Sequence, residues 1–130
     1  MTALQASVLI AANEPMVAAI IEQTVNQMGF TAVVASDGAK AVQSAHTLDT
    51  SLVCIIFDVM MPVMNGIDAA AAIRAFAPNV HTILMSGSGH GTLFQQGITK
   101  SHFAFMQKPF PLAHLRSLLD QALHEKELGA

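Results

Sequence analysis

The run from Leu52 to Gly66 constrains the fold of this chain more than any other stretch. Its first six residues, Leu52–Phe57, are all apolar and lead without interruption into Asp58. An uninterrupted apolar run rich in β-branched residues is typical of a strand buried on both faces, as in a parallel sheet. Asp58 therefore ends a buried strand, and chemistry in open α/β sheets collects outside the carboxyl ends of strands. By position alone, Asp58 is either a turn former or a functional carboxylate.

Length and composition narrow the class of protein. The chain has 130 residues, 52% of them hydrophobic and 12% charged, which favours one domain with a full core over disorder. No apolar run approaches the roughly 20 residues of a membrane span, and the N-terminus lacks the basic flank of a signal peptide. A net charge of −3 without a basic cluster argues against nucleic acid as a direct partner. We therefore expect a cytoplasmic domain over residues 1–130 that binds neither membranes nor nucleic acid.

Apolar runs and helical periodicities alternate along the whole chain. Proline after Asn13-Glu14 indicates the start of a helix, and Asp37-Gly38 predicts a turn. The predicted strands are 7–12, 31–36, 52–58, 81–86 and 103–108, and the predicted helices are 15–28, 41–48, 67–73, 92–98 and a last one from Pro111. A glycine-rich loop is predicted over 87–91. Five strands alternating with five helices predict a doubly wound α/β fold with a parallel sheet.

Polar residues stand at four of the predicted strand ends: Asn13, Asp58, Ser86 and Lys108. In the flavodoxin-like strand order 2-1-3-4-5, with helices on both faces, these four ends share one rim beside the switch point of the sheet. A carboxylate, a hydroxyl, an amide and an ammonium would then converge on one shallow site. That combination suits capture of a phosphoryl group, with Asp58 as nucleophile and with Lys108 and Ser86 binding the oxygens of the transferred group.

Three motifs in this order carry a family resemblance: Phe57-Asp58-Val59-Met60-Met61-Pro62-Val63-Met64-Asn65-Gly66, Met85-Ser86-Gly87 and Phe105-Met106-Gln107-Lys108-Pro109-Phe110. Along essentially its whole length the chain resembles the receiver domains of two-component response regulators, of which CheY is typical. The resemblance implies that Asp58 is the phosphoacceptor, Ser86 the switch hydroxyl and Lys108 the phosphate-binding lysine. It further implies that Phe105 is the switch aromatic and that the bond before Pro109 is cis.

One pair of residues departs from the family pattern. Receiver domains carry two adjacent acids after the first strand, which hold Mg²⁺ together with the phosphoacceptor and a backbone carbonyl two residues beyond it. Here the pair is Ala12-Asn13, so the expected ligands are Asp58, the amide of Asn13 and the carbonyl of Met60. Magnesium favours carboxylate oxygens, and we expect weakened binding. Glu14 either reaches this site or serves as a helix cap or surface residue.

The resemblance implies a stand-alone, non-enzymatic signalling domain without an effector domain, capable at most of catalysing its own phosphorylation and dephosphorylation. The donor would be a histidine kinase or a histidine phosphotransfer protein, and the output an unknown protein partner. The alternative is a degenerate receiver that binds proteins independently of phosphorylation, because Ala12-Asn13 replaces the acidic pair. An aspartate-nucleophile phosphatase is disfavoured, since Met60 stands where that class has a second aspartate.

Overall fold

The computed structural model describes residues 6–61, 63–87 and 103–129, with side chains from 104 to 122 in the last range. The helix predicted at 92–98 and most of the glycine-rich loop lie outside these residues. The strands are β1 (Ser7–Ala11), β2 (Thr31–Ala35), β3 (Leu52–Asp58), β4 (His81–Ser86) and β5 (Phe103–Gln107). The helices are α1 (Pro15–Gln27), α2 (Gly38–Leu48), α3 (Gly66–Phe76) and α4 (Leu112–Gly129), with a short 3₁₀ turn at Asp49–Ser51.

The strands of the described residues form one parallel sheet in the order β2-β1-β3-β4-β5. This confirms the flavodoxin-like, doubly wound α/β fold predicted from the sequence. The reversal of strand order falls between β1 and β3, whose registers pair Ala11 with Phe57. The carboxyl ends of β1, β3, β4 and β5 consequently share one rim of the sheet, which is where the polar residues were predicted to meet.

Two hydrophobic cores flank the sheet, because successive side chains of a strand point to opposite faces. In β3, Ile55 and Phe57 belong to the core that also contains Ala41 of α2 and Ile73 of α3. The neighbouring Cys54 and Ile56 belong to the core on the other face, which is closed by Ile21 and Val25 of α1 and by Leu115 and Leu119 of α4. The buried, unbroken apolar run of β3 is thus explained by two covered faces.

Two helices, α2 and α3, start earlier than the sequence predicted, and α4 starts one residue later. Asp37 lies in the bend between β2 and α2, as predicted, but Gly38 belongs to the helix and not to the turn. The Asp37 side chain accepts a 2.8 Å hydrogen bond from the Lys40 N–H. Asn65 likewise caps α3 by accepting a 2.8 Å hydrogen bond from the Asp68 N–H. Short polar side chains accept hydrogen bonds from the free N–H groups of a first helical turn. Asp37 and Asn65 are therefore each the last residue of a loop and the cap of the helix that follows. None of the described helices is long and apolar enough to span a bilayer.

Candidate functional site

The carboxylate of Asp58 lies at the end of β3 and is only 2% exposed. Its Oδ1 atom is 2.7 Å from Nζ of Lys108, and its Oδ2 atom accepts a 2.6 Å hydrogen bond from the backbone N–H of Asn13. A buried carboxylate is costly unless it is paired and hydrogen-bonded, and here each oxygen has a donor. Residues from three separate strand ends therefore meet at Asp58, as the order of the polar strand ends predicted.

Lys108 follows β5 and keeps 22% of its side chain exposed. Its Nζ atom also lies 3.3 Å from Oε1 of Glu14, so one ammonium contacts two carboxylates. Burial alone lowers the pKa of Lys108, but the hydrogen bonds and charges of Asp58 and then Glu14 outweigh it and raise that pKa above its ordinary value. The ammonium form is therefore the stable one at neutral pH, and it compensates the buried charge of Asp58.

Ser86 ends β4 next to this pair. The residue is 2% exposed, and its hydroxyl donates a 3.0 Å hydrogen bond to the carbonyl of Gly87. The backbone fixes Ser86 relative to Lys108, whose N–H donates a 2.7 Å hydrogen bond to the Ser86 carbonyl. The peptide bond between Lys108 and Pro109 is cis. The chain thus leaves β5 directly beside the end of β4.

Phe105 lies in β5 opposite Leu84 of β4. Its ring is half-buried and packs against the core formed with α2 and α3, whereas its neighbour Met106 is fully buried in the opposite core. Phe105 is therefore on the β4–β5 part of the sheet that carries Ser86, with part of its surface accessible to solvent.

Backbone hydrogen bonds hold both ends of the connection between β3 and α3. The N–H of Val59 donates a 2.9 Å hydrogen bond to the carbonyl of Met85, and the N–H of Gly66 donates one of 2.9 Å to the carbonyl of Val59. A Cβ atom on Gly38, the first residue of α2, would overlap the backbone carbonyl oxygen of Met64 in this connection. Within it, Met60 and Val63 are strongly exposed, and Val63 has a φ of 70°.

The sequence analysis missed one contact of the site and left a second one open between two alternatives. Asn13 contacts Asp58 through its backbone N–H, whereas the sequence pointed to its side-chain amide. The side chain of Glu14 makes no capping hydrogen bond, although the residue occupies the cap position of α1, and pairs with Lys108 instead. The only sequence signal for this second contact is an acid on the β1–α1 connection, which opens onto the same rim as Lys108.

The fold and this carboxyl-edge site define a flavodoxin-like α/β domain with a charged site at its switch point. More narrowly, the chain belongs to the response regulator receiver domain family, whose model matches residues 8–120. Members of this family are signalling modules that pair with histidine kinases in two-component systems. The family assignment agrees with the resemblance carried by the three sequence motifs.

Individual relatives give the same picture. The chain is 32% identical over 120 residues to the autoinducer 1 sensor kinase/phosphatase LuxN of Vibrio campbellii, covering 92% of this chain and 14% of LuxN. It is 25% identical over 122 residues to the sensor kinase CckA of Brucella abortus, covering 94% of this chain and 13% of CckA. The chain thus spans a small part of these two relatives. A response regulator receiver domain protein from Clostridium thermocellum shares the fold, with a TM-score of 0.88, 21% identity and coverage of 96% and 99% of the two chains.

Receiver domains generally bind Mg²⁺, and the donors of this site can be compared with what that ion requires. Magnesium prefers several oxygen ligands in octahedral geometry, with carboxylates among them. Here Asp58 is the one carboxylate at the strand end, and its two oxygens already face Lys108 and the N–H of Asn13. Among the described residues, no group of three or more His, Cys, Asp or Glu side chains is arranged to hold a metal ion. The donors that the described part of the chain brings to this site do not fit the family's magnesium site.

Proposed function

We propose that this receiver domain accepts a phosphoryl group on Asp58 and signals through contact with another protein. The observation that carries the proposal is the buried Asp58 carboxylate held 2.7 Å from the Lys108 ammonium at the carboxyl edge of the sheet. A carboxylate fixed beside a cation is a suitable nucleophile, because the cation stabilises the charge of the incoming phosphoryl group.

In the proposed reaction, one carboxylate oxygen of Asp58 forms a bond to phosphorus while the bond from phosphorus to the donor's imidazole nitrogen breaks. The electron pair of the broken bond stays on that nitrogen. Lys108 then binds an oxygen of the phosphoryl group, and the hydroxyl of Ser86 turns from the Gly87 carbonyl to donate to another. The donor is a histidine kinase or a histidine phosphotransfer protein, consistent with the sensor kinases among the relatives.

The output is proposed to come from the β4–β5 side of the sheet. Inward movement of Ser86 frees space beside β4, and Phe105 on the adjoining strand rotates inward with it. A half-buried ring that changes its rotamer alters the outer surface at low cost, which a protein partner can detect. The organisation as one domain over residues 1–130 without an effector domain, and its cytoplasmic location, stay predictions.

The direct test uses acetyl phosphate or a cognate phosphorylated donor and intact mass spectrometry. We expect a phosphoryl adduct on the wild-type chain that is absent from Asp58→Asn. Asp120→Asn is a matched control, since Asp120 is an exposed aspartate of α4, and it should keep the adduct. No adduct with either donor would contradict the proposal.

A second candidate function, phosphorylation-independent protein binding, is favoured by one observation. The connection between β1 and α1 supplies the exposed Asn13 and a Glu14 that pairs with Lys108, in place of two acids facing Asp58. The same mass measurement separates the two candidates. An adduct that depends on Asp58 excludes the degenerate receiver, whereas its absence together with retained partner binding supports it.

A further inference from the structure

Lys108 is shared between two acids in a way that bears on the cation requirement of the site. Its Nζ atom lies 2.7 Å from Oδ1 of Asp58 and 3.3 Å from Oε1 of Glu14. Two carboxylates and one ammonium leave a single negative charge among the three groups. Glu14 is 62% exposed, so its charge is largely screened by solvent, while the charge of Asp58 is almost fully buried and is compensated by Lys108.

A divalent cation would have to compete with this arrangement. It would displace Lys108 from Oδ1 of Asp58 and would find the N–H of Asn13 already on Oδ2. The chain offers no acid at residues 12 and 13 to compensate the loss. Removing hydration water from Mg²⁺ is costly. One carboxylate that already has two other donors does not compensate that cost.

We propose that the ammonium of Lys108, held between Asp58 and Glu14, takes the place of the divalent cation in this chain, so that Asp58 needs no bound Mg²⁺. This inference rests on the proposed function and concerns the same site. Glu14 is a positioning residue in it, since it contacts Lys108 and not the phosphoryl group. Asp58 supplies the reacting oxygen, and Lys108 the positive charge.

The first experiment measures Mg²⁺ binding and does not involve phosphorylation. Backbone amide signals of Asn13, Val59 and Gly66 are followed by NMR during titration with MgCl₂, with NaCl at equal ionic strength as the reference. We expect no saturable shift in the wild-type chain at millimolar Mg²⁺. A saturable shift confined to these amides in the wild-type chain would overturn the inference.

Two variants test why the wild-type chain is expected not to bind Mg²⁺. Lys108→Met frees the carboxylates, and Asn13→Asp adds an acid beside Asp58, so each should raise the affinity for Mg²⁺ by about tenfold or more. Lys40→Met is the matched control, because it removes the same charge from an exposed lysine of α2 and should leave Mg²⁺ binding unchanged. If Lys108→Met gains no affinity, whatever Asn13→Asp does, Lys108 is not what excludes the ion, and the inference fails.

The second experiment tests the reaction with acetyl phosphate in the presence of a chelator. We expect Asp58 to be phosphorylated at a rate within about twofold of that in Mg²⁺. Glu14→Gln should slow the reaction in chelator, whereas Glu22→Gln, within the helix α1 that Glu14 precedes, should not. Phosphorylation that requires Mg²⁺ overturns this inference and leaves the proposed function standing. An Mg²⁺-insensitive site that is never phosphorylated removes the proposed function instead.

Discussion

The backbone carbonyl oxygen of Asp58 occupies the space that a Cβ atom on Gly66 would need. Gly66 is the first residue of α3, and its N–H also donates to the carbonyl of Val59. The chain therefore returns to the end of β3 so closely that the residue starting the next helix has room only for a hydrogen atom. Backbone-to-backbone contact, unlike contact with a flexible side chain, is not relieved by a rotamer change.

Gly66→Ala should consequently destabilise the protein, although alanine favours helices over glycine. Overlap with a fixed carbonyl is expected to lower the free energy of unfolding by about 1–3 kcal/mol, which chemical denaturation measures. Gly87→Ala is the control, because a Cβ at residue 87 meets no atom of the described residues within 4 Å. Equal stability of the two variants would contradict the steric argument.

Val63 should be a site of stabilising substitution. It is 80% exposed and has a φ of 70°, a conformation that is strained for a β-branched residue. Val63→Asn or Val63→Gly is expected to raise the free energy of unfolding by about 1 kcal/mol, since both residues adopt this conformation more readily. Val34→Asn, at an exposed valine within β2, should instead destabilise, because asparagine is disfavoured in strands. A loss of stability in both Val63 variants would show that no strain is stored there.

The Lys108–Asp58 pair predicts a specific loss of stability at alkaline pH. The folded pKa of Lys108 lies above its ordinary value of 10.5, so the stabilisation is complete below that pH and is lost as the pH rises through the folded pKa. The wild-type chain should be more stable than Lys108→Met at neutral pH, and this difference should shrink above about pH 10.5. Subtracting the two denaturation curves cancels the titration of Cys54 in the unfolded chain. A difference that stays constant from neutral to strongly alkaline pH would contradict the pairing.

Cys54 should be chemically inert in the folded protein. It is fully buried in β3, and burial raises the pKa of its thiol. Thiol reagents attack the thiolate, so labelling with iodoacetamide at neutral pH should follow the population of unfolded chain. Mass spectrometry should find no label in native buffer and complete labelling in guanidinium chloride. Rapid labelling under native conditions would mean that β3 opens without global unfolding.

The succession of strands and helices predicted the doubly wound parallel sheet, and the flavodoxin-like order 2-1-3-4-5 taken for it predicted the meeting of Asp58 with Lys108. Apolar runs mark the strands, and the residue after each run is placed at a common edge. The contacts of Asn13 and Glu14 could not be predicted in the same way. A backbone N–H carries no residue-specific signal, and a glutamate at a helix start is equally compatible with capping. The contact between Glu14 and Lys108 depends on the paths of the segments that follow β1 and β5, and these two residues are 94 positions apart in the sequence.

The close fit of Gly38 against Met64 has a consequence for tolerance to mutation. Gly66 packs against the backbone carbonyl of Asp58 at the start of the β3–α3 connection, and Gly38 packs against the backbone carbonyl of Met64 near its end. The connection is therefore in close contact with backbone at both places. A side chain at either glycine would push this connection outward, and the carboxylate at its start would lose its alignment with the lysine. The position of Asp58, the most buried acid of the described residues, thus depends on two glycines that have no side chain and take no part in its chemistry.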